Sequence, residues 1–110
     1  MGRFVKGEVV VEPFPFSDLS DTKKRPALVL AALTGDDILF CLITSKATAD
    51  SYALSLNHKD FTSESLRQDS YIRPNRIFTA ESNIVLYRAG VLKPDKVRDV
   101  VDKVIEIITA

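Results

Sequence analysis

Lys23-Lys24-Arg25-Pro26-Ala27-Leu28-Val29-Leu30-Ala31-Ala32-Leu33, a turn at Gly35-Asp36-Asp37, and Ile38-Leu39-Phe40-Cys41-Leu42-Ile43-Thr44-Ser45 form the stretch whose reading decides the fold. The runs Ala27 to Leu33 and Ile38 to Ser45 carry hardly a polar side chain. Rich in Leu, Ile and Val and divided by Gly-Asp-Asp, they read as two hairpin strands covered on both faces, and so as the middle of a sheet. Pro26 has no N–H to donate and a fixed φ, which predicts that it opens its strand and leaves Arg25 in the loop just outside. Hairpin partners run antiparallel, so the end of the second strand, Thr44-Ser45, returns to the neighbourhood of Arg25. A guanidinium fork matches two phosphate oxygens, and a hydroxyl adds a donor from another direction. The plainer alternative is a loop salt bridge at Arg25 and an ordinary strand threonine at position 44.

The length of 110 residues suits one hydrophobic core and not two, so residues 1–110 are read as a single domain. Apolar residues make up 45% and charged residues 27%, which excludes a disordered chain. Fifteen Lys and Arg balance fifteen Asp and Glu, so any grip on nucleic acid has to come from a local patch. The single Cys41 lies inside an apolar strand; it allows no intrachain disulfide and reads as a buried thiol, in keeping with a reducing cytoplasm. Met1 to Gly7 lacks an apolar core flanked by a cleavage site, and no run approaches the ~18 apolar residues of a membrane span. The reading therefore expects neither export nor membrane insertion.

Before the hairpin, Glu8-Val9-Val10-Val11-Glu12 reads as a first strand whose flanking glutamates suggest an edge. Pro13-Phe14-Pro15-Phe16 is predicted to be extended and stiff, and Ser17 to Lys24 a polar loop able to close over whatever Arg25 binds. Lys46 to Ser51 is a second polar connection. The alternation of Tyr52 to Asn57 predicts a half-buried strand, His58 to Phe61 a turn, and Thr62 to Gln68 one short helical turn. Ser70 to Arg73 and Arg76 to Thr79 read as two strand pieces broken at Pro74, and Ile84 to Tyr87 as another strand ended by Arg88-Ala89-Gly90. From Pro94 the period changes: Val97, Val100, Val101, Val104, Ile105 and Ile108 form one apolar stripe of a helix, with Pro94 suited to its first position. Five or six short strands and one terminal helix predict an α+β domain built on a strongly curved antiparallel sheet, a small SH3-like barrel.

Lys6-Gly7-Glu8-Val9, Arg25-Pro26-Ala27-Leu28-Val29-Leu30, Ile43-Thr44-Ser45, Ser70-Tyr71-Ile72-Arg73-Pro74 with Ile77-Phe78-Thr79, and the closing amphipathic helix resemble, in order and spacing, the MazF/PemK toxins of type II toxin–antitoxin systems. Pro13-Phe14-Pro15-Phe16-Ser17-Asp18 and Lys24-Arg25-Pro26 are similar to the PemK-like branch. The resemblance implies an SH3-like barrel, a homodimer, metal-independent endoribonuclease activity on single-stranded RNA, no cofactor, and a cognate MazE-like antitoxin. It also implies that Arg25 and Thr44 match the family's active-site arginine and threonine, and that Arg73 matches a further arginine. Where those enzymes read Arg-x-Asp with the aspartate a proposed base, this chain reads Arg73-Pro74-Asn75. An amide cannot take a proton near neutral pH, so the base is left open among His58, Asp69, an aspartate of the first loop and water.

Cleavage of RNA by its own 2′-hydroxyl needs a proton acceptor, donors for the charge on the phosphorane, and an acid for the leaving 5′-oxygen. Arg25 and Arg73 would supply fixed positive charge and Thr44 a hydrogen bond. Lys23, Lys24, Ser45, Asn75 and Arg76 are the expected RNA-binding residues, with Arg67 a further candidate cation and Phe16, Tyr52 and Tyr71 as rings that either stack on bases or pack in the core. His58, Cys41 and the turn pair Asp36-Asp37 do not make a metal-ligand set. Two other readings remain: a CcdB-type toxin that acts on gyrase without cutting RNA, and an inactive relative that only binds an antitoxin.

Overall fold

Seven antiparallel strands and one helix are found among the residues described by the computed structural model, which are 4–14, 23–46 and 49–110. The strands are β1 (Glu8–Phe14), β2 (Lys23–Ala32), β3 (Asp37–Thr44), β4 (Leu54–Leu56), β5 (Phe61–Glu64), β6 (Ser70–Glu81) and β7 (Tyr87–Leu92), followed by α1 (Pro94–Thr109). They pair in the spatial order β4-β6-β3-β2-β1-β7-β5. Extents of 32 × 30 × 30 Å are nearly equal in all directions, so the sheet is curled and not flat. Pro15, Phe16 and the loop from Ser17 to Thr22 lie outside the described residues, as do Ala47 and Thr48 of the second connection.

The hairpin is central, as its uninterrupted apolar runs predict. One face gathers Val9, Leu28, Cys41, Ile43, Leu56, Ile72, Leu92 and the helix residue Val100 into the larger core. The opposite face gathers Val10, Ala27, Val29, Ile38 and Phe40, with Phe78 stacked on Phe40 at 5.3 Å between ring centroids. Both faces of β1 to β3 are therefore covered. The helix begins at Pro94, and Val97 and Val100 bring its apolar stripe onto the larger core.

Several local expectations are corrected. β1 is an interior strand between β2 and β7; Glu8 spends its charge on Arg88 of the neighbouring strand at 2.9 Å, so it marks no edge. β2 starts at Lys23, which places Arg25 within the strand and not in a loop, with Pro26 opposite Val11. Proline is tolerated there because β3 pairs with β2 only from Ala27 onward, and the missing N–H faces no partner strand. The expected helical turn from Thr62 to Gln68 is instead β5, ended at Glu64, whose φ of 53° turns the chain. Ser82–Ile84 is a 3-10 turn, and the strand expected there starts later, at Tyr87, and runs through Gly90. The close approach of the Phe61 ring explains the glycine: a Cβ on Gly90 would lie 2.8 Å from Phe61 Cδ2.

Pro74 does not break the sheet. β6 is continuous from Ser70 to Glu81, but Leu42 pairs with Arg73 while Cys41 pairs with Ile77. Pro74, Asn75 and Arg76 are thus looped out as a bulge, with Pro74 buried and the other two exposed.

Candidate active site

At the end of the central strands where Pro26 interrupts pairing, a cleft of about 210 Å³ opens, lined by Lys24, Arg25, Pro26, Ile43, Thr44, Ser45 and Lys46. Arg25 and Thr44 are brought together by register. The β2–β3 ladder ends at Ala27 opposite Leu42, and two residues beyond it on each strand Arg25 and Thr44 line the same cleft. Thr44 is 8% exposed, and its Oγ1 accepts the Lys46 N–H at 3.2 Å, which leaves its own proton to donate. The Thr44–Lys46 bond turns the chain at the strand end and holds Ser45 and Lys46 on the rim of the cleft.

Pairing extends this pair into a row. Glu12 lies opposite Arg25, Thr44 opposite Tyr71, and Tyr71 opposite Ser55. Directly opposed residues share a face of a sheet, so Glu12, Arg25, Thr44, Tyr71 and Ser55 form one polar strip across it. The strip continues the face that carries Val10, Ala27 and Phe40 deeper in the sheet. Arg73, opposite Leu42, is on the same face, diagonal to Thr44.

Arg73 is held from outside the sheet. Its Nε and Nη2 both donate to Asp50 Oδ2 at 3.1 Å, while Asp50 Oδ1 accepts the Tyr52 N–H at 2.9 Å. The Asn75 side chain also hydrogen-bonds Asp50. The Tyr52 N–H first, and the bonds and charge of Arg73 with it, keep the Asp50 carboxyl below the usual carboxylate range against the opposing cost of burial. A carboxylate therefore does stand beside Arg73 and position 75, supplied through space by Asp50.

Of the residues expected from sequence, the cleft gathers Lys24, Arg25, Thr44 and Ser45; Arg73 stands beside it, and Asn75 and Arg76 project on the β6 bulge. Lys23 opens β2, its side chain lying outside the described residues. Phe16, Asp18 and Asp21 are also outside them. His58 is exposed in a 3-10 turn, and Asp69 is exposed just ahead of β6. Lys46, Asp50 and Glu12 were missed. Glu12 is fully buried, with no hydrogen-bond partner among the described residues at either carboxyl oxygen, and burial pushes its carboxyl up to about 7. The available signal was an acidic residue closing a β-branched run just before a proline.

A curled antiparallel sheet carrying a cationic, hydroxyl-bearing cleft at its central strand ends defines a small β-domain suited to a phosphate ligand. Residues 6–108 match the family of PemK-like, MazF-like toxins of type II toxin–antitoxin systems, and the chain belongs to that family. In fold it is similar to MazF from Deinococcus radiodurans (TM-score 0.78, 16% identity, covering 100% of each chain). It is also similar to an endoribonuclease in complex with its cognate antitoxin from a Mycobacterial species (TM-score 0.76, 12% identity, 97% of this chain and 96% of that one). A MazE–MazF structure from D. radiodurans gives a TM-score of 0.76 at 18% identity, with 96% of each chain covered. A comparison with curated protein sequences returns no significant match.

Proposed function

We propose that this toxin is a metal-independent endoribonuclease that cleaves single-stranded RNA, acts in the cytoplasm as a homodimer, and is neutralised by a MazE-like antitoxin. The observation that carries the reading is Arg25 and Thr44 lining one cleft. Arg25 holds two non-bridging oxygens of the scissile phosphate, Thr44 donates to a third position, and Lys24 and Lys46 add positive charge on the rim. Fixed donors aimed at a developing phosphorane are worth roughly 3–4 kcal/mol each when removed one at a time. Arg73, steadied by Asp50, is the second guanidinium on the same face, and Ser45, Asn75 and Arg76 meet flanking nucleotides. The similar structures described as an endoribonuclease with its antitoxin and as MazE–MazF support the same reading of activity and partner.

Neither a gyrase-acting toxin nor an inactive antitoxin binder has a use for an arginine and a threonine lining one small cationic cleft. The test is incubation of the purified protein with a long unstructured RNA in EDTA and mapping of the new ends. Cleavage at defined sites is expected, falling ~100-fold or more in Arg25→Ala and Thr44→Ala. Cleavage indifferent to both substitutions would overturn the assignment.

A further inference from the structure

The chain leaves β3 at Thr44 and rejoins the sheet at Leu54, and because the strand order is β4-β6-β3 it has to pass from one edge of β6 to the other in between. Asp50 lies in that crossing and meets β6 at Arg73. The crossing thus begins at the cleft, where Ser45 and Lys46 belong to the lining, and is fastened further on to the guanidinium diagonal to Thr44.

The two groups meet in a selective way. Nε and Nη2 of Arg73 both donate to Asp50 Oδ2 at 3.1 Å, which occupies one edge of the guanidinium plane. A guanidinium carries donors on every side of its plane, so the edge shared by Nη1 and Nη2 keeps a pair of parallel donors. Among the described residues Nη1 makes no hydrogen bond. Two parallel donors match two phosphate oxygens. The backbone beneath is fixed as well: Arg73 pairs with Leu42, its carbonyl accepts from the Cys41 thiol at 3.0 Å, and the ring of Pro74 confines it to extended conformations. Only the side chain is left to be settled, and an unheld arginine samples many rotamers.

Asp50 is itself held. Its Oδ1 accepts the Tyr52 N–H at 2.9 Å and the Asn75 side chain bonds it from the β6 bulge, so the carboxylate has a place of its own and does not follow the arginine. The Asp50 side chain is nearly closed off at 8% exposure, whereas that of Arg73 keeps 21%, so the arginine is the member of the pair that a ligand can reach. We propose, on the ribonuclease reading above, that Asp50 is a positioning residue: it grips Arg73 by one edge so that the other edge is presented to the scissile phosphate held by Arg25 and Thr44.

Diagonal cross-strand neighbours lie roughly 7–8 Å apart, within the reach of a long side chain, so Arg73 and Thr44 can serve one phosphate. Asp50 touches no reacting atom and takes no proton; its effect runs through Arg73 alone. A donor fixed in advance stabilises the charge developing on the phosphorane without rearrangement at the moment of reaction, whereas a wandering guanidinium has to be gathered in first.

Asp50→Asn separates this role from a structural one, because the amide oxygen still accepts the Tyr52 N–H while the charge and the acceptor facing Arg73 are lost. The test measures single-turnover cleavage, in EDTA, of an RNA carrying the mapped site by the unaltered protein, Asp50→Asn, Asp50→Glu, Arg73→Ala and the double variant of Asp50→Asn with Arg73→Ala. Rates are read at a temperature where thermal unfolding shows every one of them folded, and affinity with an uncleavable 2′-O-methyl oligonucleotide of the same sequence. Arg73→Ala is expected to lose on the order of 100-fold in rate. Asp50→Asn should lose on the order of 10-fold or more with affinity within ~3-fold, and Asp50→Glu should keep a partial rate. The double variant should cleave no more slowly than Arg73→Ala, since Asp50 then has nothing to hold. Asp50→Asn cleaving at the unaltered rate would overturn the role of Asp50 and leave the ribonuclease reading standing. So would a loss from Asp50→Asn that is as large in the Arg73→Ala background as in the unaltered protein, by showing an action independent of Arg73. RNA left intact by the unaltered protein would overturn both readings together.

Discussion

Asp50 Oδ2 receives both Nε and Nη2 of Arg73 at 3.1 Å across 23 residues of sequence, and ties the connection after β3 to the middle of β6. The Arg73 side chain is 21% exposed and that of Asp50 8%. This pair is shielded enough to outweigh an ordinary surface salt bridge. Asp50→Ala is expected to lower the unfolding temperature, because Arg73 and the Tyr52 N–H both lose their acceptor. The Asp50 carboxyl is held low in the folded state, so its contribution is present above the unfolded carboxylate range and fades as pH falls through the folded value. Thermal unfolding of Asp50→Asn and the unaltered protein between pH 3 and 7 should therefore show the two curves converging at the acid end.

Glu12 works in the opposite sense. Its carboxyl is raised from 4.5 to about 7, so between those values the folded state holds a proton that the unfolded chain has lost. Stability from this group is complete below pH 4.5 and declines as pH rises through 7, by up to about 3 kcal/mol for a fully buried carboxyl. Glu12→Gln should remove that decline and unfold at a higher temperature than the unaltered protein at pH 8.

The Cys41 thiol is fully buried and lies 3.0 Å from the Arg73 carbonyl oxygen. Burial pushes it up to about 12, outweighing the effect of that backbone bond. A thiol with so little thiolate and no access is inert. Reaction with an aromatic disulfide reagent at pH 8 should proceed only at the rate of unfolding, and addition of denaturant should release it.

A Cβ on Gly90 would lie 2.8 Å from the Phe61 ring and 3.1 Å from the Ser63 carbonyl oxygen. Gly90→Ala forces β5 away from β7, and is expected to cost roughly 1–3 kcal/mol of stability in denaturant titration. A neutral outcome would mean that β5 slides along its partner at little cost.

The central hairpin was legible because its apolar runs are unbroken, and the helix because its valines and isoleucines recur at 3.6-residue spacing. That Thr44 returns to the neighbourhood of Arg25 followed from antiparallel geometry alone, and both line one cleft. The place of β1 was not legible: a glutamate at a strand end has the same appearance whether it faces water, as at an edge, or meets Arg88 as Glu8 does. Asp50 was hidden for a different reason. It lies in an irregular connection, and no local period links it to Arg73. Glu12 escaped notice because a charge at the end of a β-branched run reads as exposure, and its burial is decided by strands that join β1 from both sides.

The looped-out Pro74-Asn75-Arg76 has a consequence for how such a chain changes over time. Ladder pairing closes on Arg73 before it and resumes at Ile77 after it, so Asn75 and Arg76 stand outside the hydrogen-bond accounting of the sheet. Arg76, exposed on that bulge, can be exchanged while the ladder keeps its register, whereas Asn75 also bonds Asp50 and is tied to the connection after β3. The chemistry displayed at position 76 is thereby free to drift without endangering the fold.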